Sequence, residues 1–287
     1  MQIIFTSLLV LVRIFTNSLS NVFQKKLTSK GEKPDCVNFT NYFILSIVSV
    51  FMLFFIPKVQ LQYGFWIFAI LGGITGALCN YFMVEALKDG ELSVLGPINS
   101  YKAIVGMAFA IFLLGEFPNI FGFLGILLII IGSYFIFGTF NVKEILKRRE
   151  VRFRFYALIF SAIEAVFIKK VILLSSVSIS FIVTCMLGGI FSYLIFSKGK
   201  FKKIEKPKGK KLVYYILTAI CFGLMTLSTA FVFKVIDVAY ALSLFQLSVL
   251  LNVILGWKIF KEKNIIKKLL GSLIIICGAI LIIFSAH

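Results

Sequence analysis

The sequence predicts an all-α polytopic membrane protein, with ten transmembrane helices arranged as two inverted five-helix repeats. Three observations carry that prediction. First, the 287 residues are 60% hydrophobic and include 33 Phe, with a mean hydropathy of +1.02. A soluble domain is roughly 45–50% apolar, so the surplus belongs in lipid. Second, apolar stretches of about 20 residues, the length needed to cross a bilayer, recur along the whole chain. Third, five pairs fall in one ungapped register of 146 residues: Lys88/Lys234, Glu116/Glu262, Gly125/Gly271, Leu127/Leu273 and Gly132/Gly278. A repeat of that length in an apolar chain marks a carrier built from two related halves.

The spans are predicted at 2–24, 36–56, 64–87, 92–114, 120–138, 155–175, 176–197, 212–236, 238–260 and 266–285. They read as helices, because open sheets cannot satisfy their backbone groups in lipid and the alternating pattern of a barrel is missing. The N-terminal stretch lacks a basic n-region and is too long for a signal h-region, so it reads as the first span. Lys169 and Lys170 interrupt span 6. Pro34, Pro57, Pro118 and Pro207 lie at span ends or in loops; Pro97 lies near the start of span 4, where it either bends the helix or begins it. The chain divides into a first repeat at 1–140, a basic linker at 141–154 and a second repeat at 155–287. Five spans per half is an odd number, so the second half enters the membrane from the opposite side and the repeats are inverted.

Charge sets the orientation. The odd-numbered loops carry 23 basic residues and the even-numbered loops and termini carry four. By the positive-inside rule the odd loops are cytoplasmic and both termini face outward across the cell membrane. The net charge of +18 therefore reads as an attraction to anionic lipid head groups; nucleic acid would require a basic polar face. None of the five Cys forms a CxxC pair, and they read as small buried hydrophobes. The lone His287 and the scattered carboxylates give no metal-ligand spacing, so neither metal nor cofactor is expected. The formal glycosylation triplet Asn38-Phe39-Thr40 abuts a span and reads as chance.

Ionisable groups within a span cost roughly 2.5–3.5 kcal/mol each on insertion scales. Three lie near mid-span: Arg13, Lys102 and Glu164. Their common depth predicts one polar cavity at the midplane, and two cations against one carboxylate favour an anion or a carboxylate-bearing zwitterion. An Arg13–Glu164 or Lys102–Glu164 ion pair that only locks helices is the competing reading. Arg13, Asn17, Asn21 and Gln24 form a polar stripe on span 1, either lining that cavity or bonding helices together. Asn99, Ser100, Tyr101 and Lys102 cluster on span 4, and their repeat-mates are Phe245, Gln246, Leu247 and Ser248 on span 9. The predicted substrate-binding set is Arg13, Asn17, Asn99, Tyr101, Lys102, Glu164, Gln246 and Ser248, and Glu164 is also a candidate for proton coupling. Gly125/Gly132 and Gly271/Gly278 predict a close-packed stripe on spans 5 and 10. Glu116 and Glu262 are read as carboxylates at the N-termini of the helices they precede.

The order Glu85, Lys88-Asp89-Gly90-Glu91, Pro97, Leu113-Leu114-Gly115-Glu116 and a glycine-marked last helix resembles the EamA domain of the drug/metabolite transporter superfamily. A second copy runs over about 231–283, with Phe260-Lys261-Glu262 in place of the Leu-Gly-Glu form. The resemblance implies a central cavity lined by helices 1, 3, 4, 6, 8 and 9, braced by helices 5 and 10. It also implies export of amino acids or other small metabolites, and cytoplasmic termini, opposite to the charge count. The expected function is secondary transport, as an exporter, of small carboxylate-bearing metabolites by alternating access, with no enzymatic activity. A flippase or exporter of a phosphate-bearing lipid or sugar is the alternative, and a structural membrane protein is the third reading. The expected partners are a small-molecule substrate, the lipid bilayer and a second copy of the chain as a homodimer.

Overall fold

The computed structural model describes residues 2–56, 59–102, 104–105, 119–139, 141–196 and 207–285. Among them the elements are α1 (Gln2–Thr28), α2 (Pro34–Leu53), α3 (Phe65–Asp89), α4 (Leu92–Ile98), a 3-10 turn (Asn99–Tyr101), α5 (Ile120–Phe137), α6 (Val142–Lys147), α7 (Arg149–Leu173), α8 (Val177–Phe196), α9 (Lys210–Val235), α10 (Val238–Phe245), α11 (Ser248–Phe260) and α12 (Ile265–Ser285). Glu116, Pro57, Pro118, the end of span 4, the basic run at 198–206 and His287 lie outside the described residues.

Local chemistry accounts for many boundaries. Pro34 opens α2 at its first turn, where the missing N–H costs nothing. The Asn119 side chain caps α5 by accepting from the Phe121 and Gly122 amides at 3.0 and 3.2 Å. Gly138, in the left-handed region at φ 73°, ends α5.

Seven described helices are long and apolar enough to cross a membrane. Spans 4, 6 and 9 are the exceptions, and each departs for a visible reason. Span 4 contains Pro97 inside α4 and then tightens into the 3-10 turn. Span 6 is continuous as α7, through Lys169 and Lys170, but begins at Arg149 within the predicted basic linker. Span 9, predicted as one helix, is broken at Gln246-Leu247 between α10 and α11. Among the described residues, seven of the ten predicted spans are thus matched by a helix long and apolar enough to cross a membrane.

Packing follows a two-fold pattern. The principal contacts pair α1 with α9, α3 with α7, α2 with α8, α5 with α12 and α4 with α11. Exchanging the repeats converts the first pair into the second and maps α2–α8 and α5–α12 each onto itself, while α4 has α10 as its mate in the 146-residue register. The α5–α12 seam is the closest. A β-carbon on Gly125 would stand 2.6 Å from the Gly278 carbonyl oxygen, and one on Gly132 would stand 2.7 Å from that of Gly271. Gly125 faces Gly278 and Gly132 faces Gly271, so these equivalent helices run antiparallel. Gly132→Val is expected to force them apart at about 1–3 kcal/mol, read as a lower melting temperature in detergent.

Large apolar side chains cover the outside, including Phe54 and Phe55 at 80% and 85% exposure, as expected of a lipid-facing surface. Cys277 is exposed on that outer face, contrary to its reading as a buried hydrophobe, whereas Cys185 and Cys221 are buried. Asn38 is fully buried: its Nδ2 donates to Ser192 Oγ at 2.7 Å and to the Ala77 carbonyl at 3.3 Å. Its Oδ1 accepts from Asn80 Nδ2 at 2.7 Å, and Asn80 in turn accepts from Gln24 Nε2 at 2.9 Å. This chain of amides ties α1, α2, α3 and α8 together. Asn38→Ala leaves the Asn80 amide and the Ser192 hydroxyl unpaired, so it should cost about 1–3 kcal/mol in a melting experiment.

Candidate functional site

The two interruptions in the helices occupy equivalent places. The 3-10 turn Asn99–Tyr101 and the break around Phe245–Leu247 are related by the 146-residue register. They also touch: Gln246 Oε1 accepts from Ser100 Oγ at 3.0 Å and from Asn99 Nδ2 at 3.3 Å. Ser100 thus bonds its own repeat-mate, which places the two-fold relation at this contact. Broken helices free backbone polar groups at membrane depth, where they are tolerated against a cavity or in protein.

Beside the breaks lies a cavity of about 140 Å³. Arg13, Asn17, Asn99, Lys102, Glu164 and Ser248 of the sequence-assigned set line it. Tyr101 and Gln246 do not. The Tyr101 hydroxyl is hydrogen-bonded with Ser133 Oγ on α5, and its ring stands edge-on to Phe155 at 5.5 Å. Gln246 is spent on the Asn99–Ser100 strap. The reason is geometric. In a 3-10 turn residues three apart eclipse, so Asn99 and Lys102 share a face while Ser100 and Tyr101 point elsewhere.

The span 1 stripe serves both readings left open by its spacing. Asn17 Nδ2 donates to Ser248 Oγ at 3.3 Å and Asn21 Nδ2 to Asn252 Oδ1 at 3.5 Å, while these residues also line the cavity. Arg13 differs. Its guanidinium carbon lies 4.1 Å from the Phe245 ring centroid, and its Nε and Nη1 are buried without a hydrogen-bond partner. Among the described residues neither Arg13 nor Lys102 forms an ion pair with Glu164. The helix-locking ion pair is therefore not what these charges make. Gly76 leaves the room that Glu164 fills: a β-carbon there would lie 2.6 Å from Glu164 Oε1.

Arg154 was missed in the sequence, where it closes a run of loop-like basic residues. It lies within α7, is only 6% exposed and lines the same cavity. The tightening after Pro97 sends the Asn99 amide to the carbonyls of Gly96 and Pro97. The Leu95 carbonyl accepts from Arg154 Nε at 2.9 Å, and Asn99 Oδ1 accepts from Arg154 Nη2 at 2.9 Å. Helical spacing carries the missing signal: Arg154, Ser161, Ala165 and Ile168 repeat at seven, four and three residues on one face, and all four line the cavity.

All five ion pairs among the described residues join segments at the odd-loop end: Lys25–Glu262, Arg148–Glu150, Arg149–Glu85, Lys211–Glu32 and Lys268–Glu91. Glu262 is the centre of the most buried group. Its carboxylate accepts from Lys25 Nζ at 2.7 Å and from the Leu92 and Ser93 amides at 2.7 and 2.8 Å. It therefore caps α4 of the other repeat, not the helix that follows it, which corrects the sequence expectation. Lys25 Nζ also donates to the Gly90 carbonyl at 2.8 Å, and Lys268 bonds Glu91 and Ser93. Gly256 makes the space for this carboxylate, which a β-carbon there would meet. Lys261 and Asn264 flank it with φ of 56° each, a left-handed conformation that is costly for lysine. Burial pushes the Glu262 carboxyl up, but the hydrogen bonds from Lys25 and Ser93 outweigh it and hold the group below the usual carboxylate range.

At the other end Lys169, the repeat-mate of Lys25, donates to the carbonyls of Phe233 and Ile236, and Ile236 is the mate of Gly90. The lysine-to-carbonyl half of the tie thus exists at both ends. The carboxylate half is described only at the odd-loop end.

The model of the EamA-like transporter family matches residues 4–138 and again 151–284. No curated protein matches the chain. One solved crystal structure is similar over 98% of this chain and 99% of its own, with a TM-score of 0.65 and 15% identity, a likeness of fold.

Proposed function

We propose, since this chain belongs to the EamA-like transporter family, that it moves a small acid-bearing solute across the cell membrane by alternating access to the cavity between its repeats. The single observation that carries this reading is a set of buried charges facing one cavity with no ion pair to hold them. Arg13 and Lys102 would take the acidic group of the solute, and Glu164 would face an amine or balance the excess charge. Amino acids and other carboxylate-bearing metabolites fit that description, with export the expected direction. A cavity of about 140 Å³ is small beside the 300–1,000 Å³ of drug-sized sites, which favours a compact solute over a phosphate-bearing lipid.

The antiparallel glycine seam and the paired helix breaks support two inverted halves that rock about this site. In that cycle the Lys25–Glu262 tie closes the odd-loop end and must release before the cavity can open there. The excess of basic residues supports a cytoplasmic odd-loop end with both termini outside. The testing experiment is a melting screen of the purified protein against amino acids, organic acids and sugar phosphates. A substrate at 100 times its Kd should stabilise the protein by about 2.7 kcal/mol. Shifts caused by cationic or neutral solutes, with none from acids, would overturn the reading.

A further inference from the structure

We infer that the solute carries two negative charges and that Arg154 reads the second of them. This deepens the proposed function and rests on its cavity. Three cations line the cavity, Arg13, Lys102 and Arg154, against the single carboxylate of Glu164. The lining is therefore left with an excess of two positive charges. No carboxylate lies within ion-pair distance of any of the three among the described residues. Hydrogen bonds to neutral acceptors satisfy donors without neutralising charge, so the Leu95 carbonyl and Asn99 hold Arg154 in place but leave its charge uncompensated. Uncompensated buried cations are costly, and a dianion would neutralise the excess where a monoanion would neutralise only half of it.

The geometry separates two kinds of cation. Arg13 has free, buried guanidinium nitrogens and lies on an aromatic face, a surface suited to a planar acid group. Arg154 is fixed by two bonds to the broken helix, one of them through Asn99, which shares a face with Lys102. One acidic group would lie between Arg13 and Lys102, and the second would lie beside Arg154, which its bond to Asn99 holds on the Lys102 side of the cavity. The shared chemistry is a compact solute with two negative charges, whether two carboxylates or one phosphate; Glu164 leaves room for an amine in addition.

The test is the affinity ratio of dianions to monoanions in purified full-length protein. Succinate, aspartate and inorganic phosphate at pH 8 serve as probes with two negative charges, and propionate, alanine and dimethyl phosphate, each with one negative charge fewer, are their respective comparisons. Wild-type protein is expected to bind a dianion-bearing probe about ten- to a hundred-fold more tightly than its comparison. Arg154→Gln should collapse that ratio towards one, and Arg154→Lys should largely restore it. A loss of folding would weaken all probes together without changing the ratio. Phosphate binding without succinate or aspartate would identify a phosphate solute, and the reverse a dicarboxylate. Equal affinity for dianions and monoanions in wild type, or an unchanged ratio in Arg154→Gln, would overturn the inference while leaving acid transport intact. Absence of binding by every anion would overturn both.

Discussion

Lys102→Ala is expected to cut transport in proteoliposomes by about ten- to a hundred-fold, while the protein melts at the same temperature or higher. The two halves of this expectation have one cause. An unpaired ammonium held at membrane depth costs roughly 2.5–3.5 kcal/mol, so removing it relieves the resting protein. The same ammonium is free of any ion pair, so it is available to a bound acid, and losing a charge-assisted contact in a dry cavity costs about 1.5–3 kcal/mol in binding. A residue that lowers stability and raises function is the signature of a site rather than of scaffolding. A fall in melting temperature with wild-type transport would assign Lys102 to packing. Flux measured in parallel with thermal melting separates the two.

Glu262→Ala should have the largest effect on stability, about 3–5 kcal/mol, because it strands Lys25 and two backbone amides in a buried setting. The pH dependence has a definite sign. A carboxyl held below its ordinary value contributes stability that is fully present above the unfolded pKa of about 4.3 and is lost as pH falls through the lower folded value. Wild-type protein should therefore lose melting temperature on acidification below that point, and Glu262→Gln should be lower at neutral pH and flatter across the acid range. Parallel acid curves for the two proteins would remove Glu262 from the account. Gly256→Ala should reproduce part of the effect by displacing the carboxylate without changing any charge.

Much of this was legible before the fold was known, and the parts that were not have specific causes. Arg13, Lys102 and Glu164 stood out because a charge inside an apolar run has no structural excuse. Arg154 did not, because a basic run beside a span reads as a solvated loop until the helix is known to begin at Arg149. Tyr101 was assigned to the cavity with its neighbours because sequence adjacency hides the three-residue face of the 3-10 turn. The break at Gln246-Leu247 carries neither Pro nor Gly; it coincides with the cross-repeat strap to Asn99 and Ser100, a tertiary contact. Glu262 was recognised as a capping carboxylate but given the wrong helix, since its partners lie 170 and 169 residues away in the chain. Spans 4, 6 and 9, which depart most from an ideal transmembrane helix, supply both breaks and, Arg13 of span 1 apart, the charges of the cavity, as expected where local rules yield to function.

The most direct test of two halves alternating around one cavity uses the native thiol of Cys79, which lines it. With the other four cysteines replaced by serine, a membrane-impermeant thiol reagent is applied to one face of oriented vesicles at a time. Labelling of Cys79 is expected from the even-loop face while the Lys25–Glu262 tie is intact, and new labelling from the odd-loop face is expected in Glu262→Gln. Labelling of both proteins equally from the odd-loop face, or no change on releasing the tie, would contradict alternating access.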